Sequence, residues 1–186
     1  TDYLISSFSY TTATGLSMLV EGEISHDKVT RFLSSEDFTS SDLWKTIKRK
    51  VRDVESEEGV IIVDDTIEEK PSTDENEIVS WHYDHSKGRS VKGINIISAL
   101  YLSKGIRVPV VFDLVRKTKT VIDEKTNKEK RVSEKTKNEQ YREMLRVCVK
   151  NNIKFKYVLN DVWYASSENM MYVKTELRKD FIMPIK

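Results

Sequence analysis

The stretch Gly59-Val60-Ile61-Ile62-Val63-Asp64-Asp65-Thr66 joins an apolar run directly to two carboxylates. Its unbroken aliphatic run predicts a buried strand. The stretch Tyr157-Val158-Leu159-Asn160-Asp161 repeats the pattern farther along the chain with a single carboxylate. An acid placed directly after a buried strand lies at the edge of a sheet, where ligands bind in α/β proteins. Asp is also frequent in turns, so a purely structural role for both acids stays open.

Asp65 and Asp161 are the candidate functional residues of these two stretches. If their strands are neighbours in one sheet, the two carboxylates can face the same ligand. Carboxylate oxygens are ligands that Mg²⁺ prefers, and sites that hold such ions hydrolyse or transfer phosphodiesters. The pattern therefore predicts a divalent-cation site between the two strand ends.

The composition is that of a globular protein with a highly charged surface. Of the 186 residues, 33% are charged and 38% are hydrophobic, and the formal net charge is +1. DNA binding by so neutral a chain needs local clusters of cations. The single Cys148, expected to be buried, excludes a Cys-based zinc site, and His82 with His85 is a weak zinc pattern. No signal peptide or membrane-length apolar run is visible, so we expect a cytoplasmic protein with no membrane partner.

Residues 1–58 are predicted to form a helical region that binds DNA or mediates oligomerisation. Apolar residues recur at helical spacing over residues 43–54, and the opposite face of that helix is basic over residues 45–52. A shorter helix is predicted to begin after Ser25, which would be its N-cap. Short helices with a basic face suit DNA binding, although a solvated surface has the same pattern.

Residues 59–186 are predicted to form a mixed α/β domain. Helices are expected from Tyr141 to Asn151 and from Ser166 or Ser167 to about Leu177. Five strands are expected, at Val60–Asp64, Val91–Leu102, Val108–Val115, Tyr157–Leu159 and Phe181–Ile185. This order of elements gives a mixed sheet with at least one parallel crossover, in which the first strand is central and adjoins the strand before Asp161.

Two cation-rich segments lie between these elements. Lys87, Arg89 and Lys92 precede a central strand, as in a loop that faces phosphate, but the spacing is not that of a nucleotide P-loop. The segment 116–137 has an excess of Lys and Arg and is predicted to be a solvated hairpin or loop. Clustered Lys and Arg are sufficient for contacts to a DNA backbone, so both segments are candidate DNA-binding surfaces.

Several blocks of the sequence together resemble the DDE-type transposases of bacterial insertion sequences. The blocks are Ala13–Ser17, Ser25–Leu33, Val63–Thr66 followed by Lys70, and Val158–Ser166. The resemblance runs over nearly the whole chain. It implies a ribonuclease H-like catalytic domain in which two Asp and one Glu bind Mg²⁺ or Mn²⁺. In this sequence the first acid would be Asp65 and the second Asp161, with Asp64 as a supporting acid.

The third acid implied by the resemblance has no counterpart in this chain. In such transposases it is a Glu on a helix that follows the last strand, whereas this sequence ends at Lys186 as that strand ends. Tyr141-Arg142-Glu143 is similar to the surroundings of that Glu but precedes Asp161, which is the wrong order. We therefore expect a catalytic domain that is incomplete at its C-terminus.

The function implied by the resemblance is transposition, with strand cleavage and strand transfer at the ends of an insertion sequence. The implied partners are double-stranded DNA, as element ends and target, and a second copy of the chain in a homodimer. Candidate DNA-binding residues beside the acids are Lys70, His85, Lys87, Arg89 and Lys92. Two alternatives stay open: another ribonuclease H-like nuclease, or a catalytically inactive remnant that only binds DNA or oligomerises.

Overall fold

A computed structural model describes Tyr3, Ser7 and residues 11–35, 37–124 and 127–185. The chain divides into two compact units, Thr1–Phe38 and Thr39–Lys186. The first unit contains helices α1 (Ala13–Leu19) and α2 (His26–Ser34). Ser25 is the N-cap of α2, as predicted, because its hydroxyl accepts a hydrogen bond from the Lys28 backbone N–H at 3.4 Å.

The described part of the second unit contains three α-helices and eight strands. The helices are α3 (Ser40–Val54), α4 (Lys137–Lys150) and α5 (Ser167–Met171), and α5 continues as a π-helical segment, Tyr172–Glu176. The strands are β1 (Val60–Glu69), β2 (Val79–Asp84), β3 (Arg89–Ser103), β4 (Ile106–Leu114), β5 (Lys119–Asp123), β6 (Lys128–Val132), β7 (Tyr157–Asn160) and β8 (Asp180–Ile182).

One mixed sheet organises the second unit. The order β2-β3-β1-β7-β8 places β1 at its centre, antiparallel to β3 and parallel to β7. The long strand β3 pairs with β1 along one edge, and along its other edge with β2 and then with β4. Strands β5 and β6 form a separate two-stranded hairpin. A mixed sheet with packed helices, and with β1 beside β7, confirms the predicted ribonuclease H-like α/β fold class.

The hydrophobic core lies on the face of the sheet that α3 and α4 cover. Alternate residues of β1 and β3 point to this face, as the period of a strand requires. Among the buried residues are Ile61 and Val63 of β1 and Ile97, Ala99 and Tyr101 of β3. The α4 residues Tyr141, Met144, Leu145 and Cys148 pack against them. Cys148 is buried as predicted, and burial raises the pKa of its thiol to about 12.

Helix α3 belongs to the unit that contains the sheet. Val51 and Val54 are part of the core, and the Ser40 hydroxyl accepts a hydrogen bond from the Phe112 backbone N–H at 2.8 Å. Arg52 donates to the carbonyl of Asn151 at the end of α4 at 2.7 Å. Helix α3 therefore lies in the compact unit Thr39–Lys186, because its apolar face covers the sheet. The division into a helical region 1–58 and a catalytic domain 59–186 stays a prediction.

Several elements differ in extent from the sequence-based expectation, among them β3, which begins at Arg89 so that Arg89 and Lys92 lie in a strand. Strand β1 continues through Asp64 and Asp65 to Glu69, because β3 remains paired with it as far as the Glu69–Gly93 pair. The acidic stretch after β1 contains strand β2, and β8 ends at Ile182 rather than at Ile185. The basic segment 116–137 is largely the β5–β6 hairpin, as the prediction of a solvated hairpin indicated.

Candidate active site

Asp65 lies inside β1, on the face of the sheet that α4 covers. One carboxylate oxygen, Oδ2, accepts hydrogen bonds from Lys137 Nζ at 2.7 Å and from Asn95 Nδ2 at 3.1 Å. The other oxygen, Oδ1, accepts a hydrogen bond from the Tyr164 hydroxyl at 3.0 Å. The two sequence blocks that each contain a candidate acid therefore meet through a direct bond between Asp65 and Tyr164.

Asp161 directly follows β7, and Asp64 is its counterpart on β1. The paired region of these parallel strands ends with Val63 opposite Asn160, so Asp64 and Asp161 are the next residues along the two strands. Burial raises the pKa of the Asp64 carboxyl, and the negative charges of Asp161 and Asp65 raise it further. Asp161 is oriented by the Trp163 backbone N–H, which donates to its Oδ1 at 3.0 Å.

A cavity of about 390 Å³ brings the three carboxylates together. Its lining residues are Asp64, Asp65, Thr66, Ile67, Tyr83, Asp84, His85, Ser86, Lys87, Lys137, Asp161 and Trp163. Both predicted acids and the predicted supporting acid thus face one open space, with two Lys side chains at its wall. The cavity combines clustered negative charge with cations and aromatic rings.

An aromatic stack stands beside the acids. The ring of His85 stacks on that of Trp163, with a centroid separation of 3.6 Å and an interplanar angle of 21°. Tyr83 contacts His85 edge-on at 4.8 Å. Tyr83 and Trp163 are about half exposed, at 53% and 47%. Exposed rings next to a charged cavity are suited to stacking with planar groups such as nucleobases.

A second cavity, of about 400 Å³, is also lined by the Asp65–Lys137 pair. Its lining includes His82, Lys117 and Tyr164 as well as both members of that pair. Burial, with the Asp65 charge and the bond to it as further causes, raises the pKa of the Tyr164 hydroxyl. The phenol therefore stays protonated and remains a donor to Asp65.

His82 is buried and neutral in this second cavity. Burial, together with the charges of Lys117 and Lys137, lowers the pKa of its imidazole to about 4. The Nε2 atom shares a hydrogen bond of 3.0 Å with the Ser80 hydroxyl. Between pH 6.5 and pH 4 the unfolded chain takes up a proton at this position, whereas the folded chain does not. Folding stability should therefore fall as the pH falls through this range.

We expect His82→Gln to reduce the acid sensitivity of folding. The lowered pKa of His82 corresponds to a loss of at most about 3 kcal/mol in the free energy of unfolding between pH 6.5 and pH 4. In His82→Gln most of this loss should be absent. Urea unfolding at several pH values measures it. His26→Gln is the matched control, since His26 lies on exposed surface. Equal pH dependence in wild type and His82→Gln would contradict the placement of a buried neutral imidazole.

The five candidate DNA-binding residues separate into two groups. His85 and Lys87 line the cavity with the acids. Lys70 is paired with Glu68 at 3.1 Å, and Arg89 with Glu69 at 3.6 Å. Those two and Lys92 are not among the lining residues of the acid cavity. Lys87 also contacts Glu69, so acidic neighbours offset part of the positive charge of this segment.

Sequence reasoning missed Lys137 and Asn95 as partners of Asp65. Lys137 is separated from Asp65 by 72 positions and Asn95 by 30, so no local pattern links them. Tyr164 was part of the recognised block around Asp161, but its bond to Asp65 could not be predicted from that block. In the sequence, Lys137 is distinguished only as one cation of the basic segment 116–137.

The chemistry of the donors fits a hard divalent cation. Carboxylate oxygens of Asp64, Asp65 and Asp161 line one cavity, and oxygen donors are what Mg²⁺ and Mn²⁺ require. Within residues 11–35, 37–124 and 127–185, no three His, Cys, Asp or Glu side chains meet in the geometry of a complete metal site. The three carboxylates are thus chemically suitable metal ligands, and Asp65 already accepts a hydrogen bond from the Lys137 ammonium.

The glutamates of the nearby helices are engaged away from the acids. Glu139 completes the capping box of α4 with Thr136 at 2.7 Å. Glu143 accepts a hydrogen bond from Lys135 at 2.7 Å, and Glu168 pairs with Arg142 at 3.2 Å. None of the three is a lining residue of the acid cavity. Glu143 thus remains unassigned as a third acid, in agreement with its position before Asp161 in the sequence.

Among the described residues, no helix combines the length and the apolar character needed to cross a membrane.

Comparison with known proteins gives a family for this chain. Among solved structures, the "Drosophila P element transposase strand transfer complex" is similar at 13% identity and a TM-score of 0.29, covering 91% of this chain and 40% of that one. This chain therefore spans less than half the length of that protein, and the likeness is too distant to support an argument. No curated protein matches. A family model described as DDE superfamily endonuclease matches residues 3–186. Because that match covers almost the entire sequence, the chain belongs to the DDE superfamily endonuclease family.

Proposed function

We propose that this chain supplies two catalytic carboxylates, Asp65 and Asp161, for DNA strand cleavage and strand transfer at the ends of a bacterial insertion sequence. The observation that supports the proposal most directly is the cavity lined by both acids, which come from blocks 96 positions apart in the chain. Asp64 is proposed as a supporting acid because it is the strand counterpart of Asp161. Cleavage of DNA agrees with membership of the DDE superfamily endonuclease family.

The protein's own residues orient the acids. Asp65 is held by donors on both of its oxygens, and Asp161 is held by the backbone of Trp163. Mg²⁺ or Mn²⁺, when bound by Asp65 and Asp161, would activate water or a 3′-hydroxyl and stabilise the charge on the phosphoryl group. The cations Lys87 and Lys137 line the cavity and would contact phosphate oxygens of a bound DNA strand in place of their present partners Glu69 and Asp65.

Double-stranded DNA is the proposed substrate, as element end and as target. Phosphate contacts are assigned to Lys70, Lys87, Arg89 and Lys92, since clustered cations bind a backbone independently of its sequence. His85 and Trp163 offer stacked rings beside the acids, and base stacking on such rings is largely independent of sequence. Because of the resemblance to DDE-type transposases, we also propose that a homodimer binds the paired DNA ends.

A second candidate function is DNA binding without catalysis. It is favoured by one observation: among the described residues, the acids that line the cavity are the four aspartates Asp64, Asp65, Asp84 and Asp161, with no Glu. Under this alternative, and for the 186-residue chain by itself, we expect duplex DNA to be bound but not cut in the presence of Mg²⁺. Efficient cleavage by this chain would remove the alternative.

Iron-directed cleavage tests the metal site without requiring catalysis. Fe²⁺ should occupy the same oxygen ligands as Mg²⁺, and with ascorbate and peroxide it should cut the polypeptide close to residues 64–65 and 161. Excess Mg²⁺ should suppress both cuts. The control variant Asp74→Asn, in an exposed loop, should give the wild-type pattern. Cuts elsewhere, or no cuts at these two positions in folded protein, would contradict the proposal.

A further inference from the structure

Lys137 is fixed beside Asp65 by the start of α4. It is the first residue of that helix, whose N-terminus is closed by a capping box between Thr136 and Glu139. Its ammonium lies 2.7 Å from Asp65 Oδ2, and its side chain is 39% exposed, against 17% for Asp65. It also lines both cavities around the acids. The ammonium is therefore at once bonded to a candidate metal ligand and accessible from solvent.

The Asp65 carboxylate has no oxygen without a donor. Lys137 and Asn95 bond to Oδ2, and Tyr164 bonds to Oδ1. A divalent ion at Oδ2 would have to stand within a few ångströms of the ammonium, where two positive charges repel strongly in a partly buried site. The ion and the Lys137 ammonium therefore compete for the same oxygen.

We propose that Lys137 occupies the cation position of Asp65 in the DNA-free chain and gives it up to a divalent ion when DNA phosphate enters the cavity. This inference rests on the proposed function of Asp65 as a metal ligand. The flexible stem of a Lys allows its ammonium to move between two anions. A backbone phosphate is the anion that suits the second position, because the cavity wall also presents Lys87 and exposed aromatic rings.

Exchange of one ammonium between two anions couples metal binding to DNA binding. DNA phosphate would draw the Lys137 ammonium away from Asp65 and so remove its repulsion of the divalent ion. The ion, once bound at Asp65, would in turn displace the ammonium toward the phosphate. By thermodynamic linkage each ligand must tighten the other by the same factor, typically about 5–150-fold for coupled sites. The chain would thus bind its metal tightly only where a phosphodiester is present.

The first test is the Mn²⁺ affinity of Lys137→Gln in the absence of DNA. Electron paramagnetic resonance of unbound Mn²⁺ gives the affinity, and we expect the variant to bind about tenfold more tightly than wild type. A variant that only damaged the structure would bind more weakly. Lys135→Gln is the matched control, because Lys135 is two positions away but pairs with Glu143. It should change the affinity by less than about twofold.

Further variants separate this inference from the proposed function. If Lys137→Gln does not fold, Lys137→Met keeps the apolar stem and removes only the charge, and the same gain is expected. If neither Lys137→Gln nor Lys137→Met binds Mn²⁺ more tightly than Lys135→Gln does, the exchange is overturned. Adding Asp65→Asn to Lys137→Gln should abolish the gain. If the double variant keeps it, Asp65 is not the ligand, and the proposed function itself is contradicted.

The second test examines the phosphate partner of Lys137. Fluorescence anisotropy with a labelled 20-base-pair duplex of arbitrary sequence, in buffer with saturating Mn²⁺, measures DNA binding while the metal site is occupied and the ammonium is released from Asp65. Lys137→Gln should bind the duplex more weakly than wild type does. The slope of its log affinity against log salt concentration should be shallower by about one. An unchanged salt dependence would show that the ammonium does not pass to DNA, and the exchange with phosphate would be rejected.

Discussion

Asp65→Asn and Asp161→Asn are each expected to remove most of the Mn²⁺ binding of this chain. Two carboxylates supply only part of an octahedral shell, with water molecules completing it, so the loss of either leaves too few ligands. The affinity should fall by more than the roughly 10–100-fold loss seen when residues that merely orient a ligand are removed. Isothermal titration calorimetry with Mn²⁺ measures the change.

The control for these two variants is Asp74→Asn, which removes one negative charge from an exposed loop. It should leave Mn²⁺ affinity within about twofold of wild type, because exposed charges at a distance are screened by salt. Wild-type Mn²⁺ binding in Asp161→Asn would exclude Asp161 as a ligand. Failure of the folded wild-type chain to bind Mn²⁺ even with duplex DNA present would instead assign a decisive role to a third acid.

Charge reversal of Lys87, Arg89 and Lys92 to Glu is expected to weaken DNA binding by a similar factor for every sequence. The chain has a net charge of only +1, so its affinity depends on local clusters. Each lost phosphate contact should reduce the slope of log affinity against log salt by about 0.9. Because Glu69 already contacts Lys87 and Arg89, the reversed charges would create a strongly repulsive acidic surface. Anisotropy titrations at several salt concentrations give both quantities.

The matched control reverses Lys104 and Arg107 at the opposite end of β3. Lys104 is in the turn that follows β3, and Arg107 is at the start of β4. For each reversed charge, the slope of log affinity against log salt should change much less than in the triple variant, since neither Lys104 nor Arg107 lines the acid cavity. A triple variant that binds DNA as wild type does would show that the 87–92 segment is only a solvated turn and strand.

Local sequence patterns predicted much of the secondary structure. The turn between β3 and β4 is an example, because Lys104 and Gly105 adopt positive φ values of 50° and 77° and Gly suits that conformation. The cap residues Ser25 and Ser166 were also found from sequence. These features depend on residues only a few positions apart, which is why periodicity and capping rules reveal them.

Features that depend on distant partners could not be predicted in this way. The amphipathic pattern of α3 showed that it has an apolar face, but not that this face covers the sheet. The extent of β1 beyond Asp64 depends on its pairing with β3. At the site, the block patterns gave Asp65 and Asp161, while the contact between Asp65 and Lys137 joins residues 72 positions apart. Such contacts follow from the topology of the sheet.

The most direct test of metal binding by Asp65 and Asp161 is anomalous X-ray scattering from crystals of the chain with a bound DNA duplex, soaked in Mn²⁺. We predict a manganese peak in the acid cavity, within about 2–2.5 Å of a carboxylate oxygen of Asp161 and of Asp65, with the Lys137 ammonium moved away from Oδ2. A well-ordered cavity with no anomalous peak, or a peak bound by neither Asp65 nor Asp161, would contradict the proposed metal site.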